Sequence, residues 1–150
     1  MSYIEKNLMN GETVLYRTSL HWIIFVWPVI WLIFGIFLIP AESILGVIAL
    51  AIGFLSGLAQ FIKLKTSEFA VTNKRVIVKV GFIQTNSLET LLSKIEGIHV
   101  NQGIMGKIFN YGSITISGTG GARNPFHKIK EPFVFRKKVQ EQIEIIQNSK

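Results

Sequence analysis

Residues 22–39 read WIIFVWPVIWLIFGIFLI, and residues 44–62 read ILGVIALAIGFLSGLAQFI. Neither stretch contains an ionisable side chain. As helices, stretches of about 18–19 residues reach roughly 27–29 Å, which is close to the thickness of the hydrocarbon core of a bilayer. Only residues 40–43 separate them, so the chain must reverse tightly there. The sequence therefore predicts a transmembrane helical hairpin over residues 22–62.

Two other interpretations fit the pattern less well. A core helix of a soluble protein normally keeps a polar stripe towards solvent, whereas these stretches are almost entirely apolar on every side. A cleaved signal peptide normally has a shorter apolar region, without a second one directly after it. Because ionisable groups inside the membrane mark ion and proton paths, their absence from both stretches argues against a channel or transporter.

The charges that flank the two stretches predict an orientation. Arg17 precedes the first stretch, Lys63 and Lys65 follow the second, and the connection carries only Glu42. Basic residues beside a span stay on the cytoplasmic side. We therefore expect both termini to be cytoplasmic, with residues 1–21 forming a short cytoplasmic segment.

Small residues recur every four positions in the second stretch, at Ala49, Gly53 and Gly57. Such a stripe lets another helix approach closely. Packing against the first helix is the favoured use, and formation of a homo-oligomer is the alternative. In the first stretch, Pro28 lacks a backbone donor and predicts a kink or a loosened turn.

The remainder of the chain is basic. The net charge of the 150 residues is +7, and from Lys63 onward there are 14 Lys and Arg against 6 Glu. A basic domain tethered beside an anionic leaflet has lipid as its electrostatic partner, which makes nucleic acid a poorer one. The chain has no Cys, which excludes disulfides, thiolate nucleophiles and Cys-ligated metals.

Beyond residue 63 the pattern changes to short β-type segments between Gly, Asn and Pro. The predicted strands cover residues 69–72, 75–80, 82–88, 92–100 with a bulge at Gly97, 111–117 and 125–130. Residues 13–18 form a further short strand that could pair with this sheet. Residues 103–109 predict a helical turn with Ile104, Met105 and Ile108 towards the core.

The chain closes with an amphipathic helix over residues 132–146. Phe135, Val139, Ile143 and Ile146 share one face of it. A run of antiparallel strands followed by one such helix predicts a curved sheet or partial barrel that the helix caps.

Five short motifs occur in order along the chain. They are TNKRV at 72–76, GFI at 81–83, LLSKIEGI at 91–98, GKIFNYG at 106–112 and GTGG at 118–121. Together they resemble the bacterial pleckstrin-homology-like membrane proteins of the YdbS-like group, over roughly residues 12–136. The resemblance implies a mainly-β pleckstrin-homology-like domain over residues 63–150, with two near-orthogonal antiparallel sheets. It also implies a location in the bacterial inner membrane, and it carries no catalytic or ligand-binding residues.

Patterns that would indicate an enzyme are weak. The glycines at 118–121 do not lead into a helix, as a phosphate-binding loop would require. Ser113 and Ser117 lack a nucleophile-elbow motif, and His99 and His127 lack metal-ligand spacing. We therefore expect a non-enzymatic protein with no cofactor and no metal.

Basic residues provide the main collective signal for binding. The candidate contacts for anionic lipid or a partner are Lys63, Lys65, Lys74, Arg75, Lys79, Arg136, Lys137 and Lys138. The sequence predicts a membrane-anchored module for protein interaction or scaffolding at the cytoplasmic face. A sensor that binds an anionic lipid headgroup is the alternative.

Overall fold

The computed structural model describes residues 3–40, 43–82, 86–119, 121 and 123–148. A 3-10 turn at Trp22–Phe25 precedes α2, and another at Leu92–Lys94 precedes β5. The elements in chain order are α1 (Tyr3–Lys6), β1 (Val14–Thr18), α2 (Val26–Leu38), α3 (Ser43–Thr66), β2 (Glu68–Thr72), β3 (Arg75–Val80), β4 (Asn86–Leu91), β5 (Ile95–Asn101), α4 (Ile104–Phe109), β6 (Tyr111–Gly118), β7 (Arg123–Lys130) and α5 (Pro132–Asn148).

The strands form two antiparallel sheets around one core. The first sheet has the order β1-β2-β3-β4, and the second has the order β5-β6-β7. Phe69 and Val78 from the first sheet are buried in one cluster with Ile114 from the second sheet and with Phe135 and Val139 from α5. Two antiparallel sheets capped by a C-terminal amphipathic helix are therefore confirmed.

The first sheet takes strands from both sides of α2 and α3, which we call the helical pair. β1 pairs with β2 in a register that sets Arg17 opposite Ala70 and Thr18 opposite Phe69. The predicted pairing of the N-terminal strand is thus confirmed, and the β domain extends beyond residues 63–150. Its outer face is covered by α1, a helix that the sequence did not predict, through a small core of Ile4, Ala70 and Ile77.

The two helices of the helical pair run antiparallel in close contact. A Cβ added to Gly35 would lie 2.8 Å from Leu50, and one added to Gly53 would lie 2.9 Å from Leu32. At Gly57 the corresponding distance, to Pro28, is 3.7 Å. Ala49 is also buried. The stripe of Ala49, Gly53 and Gly57 therefore faces α2 within the same chain.

Within the described residues, one helix is long and apolar enough to cross a membrane. It covers Ile44–Thr66 and has a mean hydropathy of 2.1, while the apolar segment Trp22–Leu38 is shorter. α3 extends past residue 62, so that Lys63 and Lys65 lie in its last turn. Glu42, which the sequence places in the connection, lies outside the described residues.

Several local predictions need correction. Pro28 lies in the first turn of α2, where a missing N–H costs no internal helix bond, and the loosened segment is the 3-10 turn before it. β4 begins at Asn86, and residues 83–85 of the predicted strand lie outside the described range. Residues 92–94 form a 3-10 turn rather than a strand, although the predicted irregularity beside Gly97 is confirmed.

The prediction that α4 turns Ile104, Met105 and Ile108 towards the core is wrong. Ile104 is 81% exposed, Ile108 is 67% exposed and Met105 is also exposed. The buried position of α4 is Gly106, where an added Cβ would collide with the carbonyl oxygen of Tyr111. Helical periodicity predicts which residues share a face, but the close approach at Gly106 decides which face turns inward.

Replacing Gly53 by Ala should loosen the helical pair, because the new Cβ would meet both the side chain and the backbone nitrogen of Leu32. Overpacking of this kind costs about 1–3 kcal/mol. Gly57→Ala is the matched control, since its Cβ has room. Thermal unfolding of the purified protein should show a lower Tm for Gly53→Ala than for Gly57→Ala. Equal values for the two variants would contradict the packing described here.

Candidate functional site

The β domain has two ends that differ in their surroundings. β2 follows α3 after Ser67 alone, so we call the end next to the helical pair the helix end. The opposite end, at the β2–β3 turn, is the turn end. In the second sheet, Ile129 bridges to Leu20, and the Lys128 carbonyl accepts from the N–H of His21 at 2.7 Å. The last residues of β7 therefore lie at the helix end.

Arg75 is buried at the turn end and is only 5% exposed. Its Nε donates to Glu12 Oε1 at 3.0 Å and its Nη2 donates to Glu12 Oε2 at 3.0 Å. It also forms an ion pair with Glu89 and donates to the carbonyl oxygen of Asn7. Arg75 is therefore not available as the surface contact that the sequence predicted, because its guanidinium is used to hold the N-terminal segment against the sheet.

The partners of Glu12 keep its carboxylate charged. Burial by itself raises the pKa of Glu12, but hydrogen bonds from Arg75, the Met9 N–H and the Thr72 hydroxyl outweigh it and lower the pKa. The Thr72 hydroxyl lies 2.8 Å from Glu12 Oε1. The cluster of Glu12, Thr72 and Arg75 joins the segment before the helical pair to β2 and β3, so it has a structural role.

Lys74 and Lys79 lie at opposite ends of β3, roughly 17 Å apart at the usual rise of a strand. Lys74 Nζ donates to the Asn10 carbonyl at 2.7 Å. Lys79 Nζ lies 4.4 Å from the centre of the Tyr3 ring. Since Arg75 is buried between other partners, these three residues do not converge on one headgroup pocket.

The remaining candidate cations lie on α3 and α5. Lys63 and Lys65 occupy the last turn of α3, with Lys65 Nζ 5.9 Å from the Phe61 ring centre. On α5, Arg136 lies over the Phe133 ring, while Lys137 and Lys138 both approach Glu141. The hydrogen bond from Lys138 lowers the pKa of Glu141. The structure thus leaves the α3 and α5 cations as separate groups.

The ends of the β domain differ in charge, which the sequence alone did not show. Register and contacts place four lysines of the β domain at the helix end, in addition to Lys63 and Lys65 in the last turn of α3: Lys79, Lys107, Lys128 and Lys130. Glu68 and Glu131 are also at this end, and both accept hydrogen bonds within the chain. Glu12, Glu89 and Glu96 lie towards the turn end, where they are mixed with Lys74, Arg75 and Lys94.

A groove of about 370 Å³ runs between β5 and α5. β5 is an edge strand of the second sheet, so no other strand of the described residues pairs with one side of its backbone. We call this space the β5–α5 groove; its lining is Ile95, Glu96, Gly97, Ile98, Gln140, Ile143, Glu144 and Gln147. An edge strand beside a groove with apolar and polar side chains can accept an extended peptide as an added strand. The sequence predicted free sheet edges but not this pairing of an edge with the C-terminal helix.

Ser113 and His127 lie side by side on β6 and β7, with Ser113 Oγ 2.9 Å from His127 Nδ1. Ser113 and His127 are 14 residues apart in the sequence, and the pairing of β6 with β7 brings them together. A serine–histidine nucleophile also needs a group that orients the imidazole and donors for an oxyanion. In the described part of the chain, no carboxylate hydrogen-bonds to His127, and no group of three metal-ligating side chains occurs.

A four-stranded and a three-stranded antiparallel sheet, closed by one C-terminal helix, define a pleckstrin-like β domain, which is a class of binding module. The chain matches the family described as Bacterial PH domain over residues 22–143, and it belongs to that family. The match confirms the resemblance seen in the sequence and covers the helical pair as well as both sheets from β2 onward. No curated protein and no solved structure is significantly similar to the chain.

Removing the Arg75 side chain should destabilise the domain strongly. Arg75→Met leaves Glu12 buried without its cation, and breaking a buried pair in this way costs about 3–5 kcal/mol. The control is Arg17→Met, which breaks the exposed pair with Glu5 and should cost at most about 1 kcal/mol. Chemical denaturation at pH 7 measures both.

Repeating the denaturation of wild type and Arg75→Met in acid tests whether the loss of stability comes from the charge of Glu12. Because Arg75 helps to lower the pKa of Glu12 below its usual 4.5, the stabilisation is present above that pH and is lost as the pH falls through the lower folded value. The difference in the free energy of unfolding between wild type and Arg75→Met should therefore become smaller below pH 4.5. If this difference in the free energy of unfolding stays constant in acid, the loss of stability in Arg75→Met comes from packing alone.

Proposed function

We propose that this protein is a membrane-anchored binding module of the inner membrane. In this proposal α2 and α3 cross the bilayer, the β domain lies at the cytoplasmic face, and the β5–α5 groove binds an extended segment of a protein partner. The observation that carries the proposal is the position of the groove: an edge strand and a groove lined by both isoleucines and polar side chains lie on the part of the domain that points away from the apolar helices. The module performs no reaction and needs no cofactor.

The exposed surface of the helical pair supports membrane insertion. Large apolar side chains point outward along both helices, among them Phe37, Ile44 and Phe54. A continuous apolar surface of this size is unusual on a soluble monomer and marks contact with lipid or protein. Since the two helices already use their small residues to contact each other, the outward side chains are free for lipid.

The charge difference between the two ends supports the orientation. Lysines beside the helical pair would face the anionic cytoplasmic leaflet, where each contributes about 1 kcal/mol. At the turn end, Glu12 and Glu89 are paired with Arg75, so the excess of lysine lies at the helix end. A headgroup sensor would need a pocket, and the burial of Arg75 with the separation of Lys74 from Lys79 leaves general attraction instead.

The chemistry of the groove indicates the kind of partner segment. The β5 edge offers backbone groups for a ladder, and Ile95, Ile98 and Ile143 offer apolar contacts. Glu96 and Glu144 also line the groove and favour a segment with Lys or Arg. We therefore propose an extended protein segment with alternating apolar and basic side chains.

Membrane insertion is tested by extraction and by topology. The full-length protein should stay in the membrane pellet after an alkaline carbonate wash and should be released by detergent, because two apolar helices hold it in lipid. A tag at the C-terminus should be protected from protease in intact spheroplasts and cleaved after permeabilisation. Release by carbonate, or cleavage of the tag in intact spheroplasts, would contradict the proposal.

Partner binding is tested by filling the groove. A photo-crosslinking residue at Gln140 in living cells should give a discrete protein adduct. Gly97→Phe should abolish the adduct without unfolding the domain, because a Cβ at Gly97 meets no atom within 4 Å.

The matched control is His99→Phe, an exposed position of the same strand that does not line the groove. This variant should retain the adduct. An adduct that survives Gly97→Phe, or that His99→Phe removes equally, would place the partner elsewhere.

A further inference from the structure

We propose that α4 is a second, interfacial membrane contact, which lies in the surface of the same bilayer and fixes the tilt of the β domain. Its contact residues are Ile104, Met105 and Ile108, and its occupant is the boundary between lipid headgroups and acyl chains. The proposal rests on the membrane insertion of α2 and α3 proposed above, and it adds a binding surface outside the helical pair.

The apolar side chains of α4 are held in an outward position. The Gln102 side chain donates to the carbonyls of Gly106 at 2.9 Å and Tyr111 at 3.1 Å, which ties the middle of α4 to the start of β6. The close approach of Gly106 to Tyr111 leaves no room for the helix to rotate its apolar face inward. The helix ends at Asn110, whose left-handed φ of 57° stops it before β6. The loop around α4 therefore holds Ile104 and Ile108 in an exposed position.

Contacts between rings place α4 beside the first turn of the helical pair. The Phe109 ring centre lies 5.8 Å from that of Trp22 in an edge-to-face arrangement. The His21 ring stacks on Tyr111 at 5.2 Å, its Nδ1 accepts from the N–H of Ile23, and the ring also hydrogen-bonds to the backbone of Phe109. α4 therefore cannot move far from the point where the chain enters α2.

The register of the helical pair gives the depth of that point. Leu32 faces Gly53. Four residues closer to the β domain in both helices, Pro28 faces Gly57. Continuing this antiparallel register brings Trp22 level with Lys63. Tryptophan and lysine are both typical of the membrane–water boundary. Since Phe109 contacts Trp22, α4 lies at the same level, where an apolar helix face sinks about 5–10 Å into the boundary.

The charges around α4 match an anionic surface. α4 has no acidic residue and carries Lys107, and Lys128 lines the space beside Ile104 and Met105. Apolar side chains next to lysines form the pattern that interfacial helices use on anionic lipid. A protein partner or a second copy could also cover apolar residues, but the contact of Phe109 with the exposed Trp22 ring, at the start of the apolar helical pair, favours lipid.

The natural absence of cysteine allows a direct test by single-cysteine spin labelling of the full-length protein. Ile108→Cys and Ile104→Cys would be labelled with a nitroxide and reconstituted in vesicles of phosphatidylethanolamine and phosphatidylglycerol. Collision with oxygen reports lipid, and collision with a water-soluble nickel chelate reports water. The controls are Ile145→Cys on α5, an isoleucine of similar exposure (58%) far from the helix end, and Phe54→Cys on the outer surface of α3.

We expect the ratio of oxygen to nickel collisions to be highest at position 54, intermediate at 104 and 108, and lowest at 145. If 108 and 104 match 145 while 54 remains in lipid, the interfacial contact is overturned and the membrane anchor stands. If 54 also reports water, the proposed function fails together with this inference. If 108 is shielded from both reagents, a protein covers α4, and the lipid contact is overturned.

Discussion

The pairing of β1 with β2 is the constraint on which the architecture depends. These strands are antiparallel neighbours, with Thr18 opposite Phe69, so the chain leaves the sheet and returns to it at the same end. The residues between them must therefore leave the sheet and return to it, which the antiparallel helices α2 and α3 do. The pairing also fixes both ends of the helical pair to one sheet rather than leaving the domain on a single flexible linker.

The junction between α3 and β2 makes that attachment stiff. Ser67 is the only residue between the two elements, and it is buried. Its hydroxyl donates to the Lys63 carbonyl at 2.6 Å and accepts from the N–H of Gly81 at 3.2 Å. The end of α3 is thereby hydrogen-bonded, through one side chain, to the segment after β3. A domain attached in this way keeps its helix end beside the helical pair. The lysines at that end therefore stay next to the helices.

The sequence predicted the elements whose signals are local. Two uncharged apolar stretches predicted the helices, and alternation predicted β2, β3 and β6 closely, because in each case the pattern lies within the element. The missed features depend on contacts that no periodicity in the sequence encodes, either between residues far apart in the chain or within one loop. Arg75 was predicted to be a surface cation, since nothing near it indicates that Glu12 would bury it. The apolar face of α4 was assigned to the core, since the contact between Gly106 and Tyr111 that turns it outward depends on the loop geometry.

The candidate surfaces were harder to predict than the fold for the same reason. The β5–α5 groove joins residues 95–98 to residues 140–147, and no pattern within either segment indicates the other. The N-terminal strand is equally distant, yet Tyr16 of β1 contacts Phe135 of α5 with ring centres 6.4 Å apart. The helix that forms one wall of the groove is therefore packed on a strand that precedes the helical pair. The N-terminal strand and the groove thus belong to one packed unit, because removing the segment before the helices would also take away part of the support of the groove.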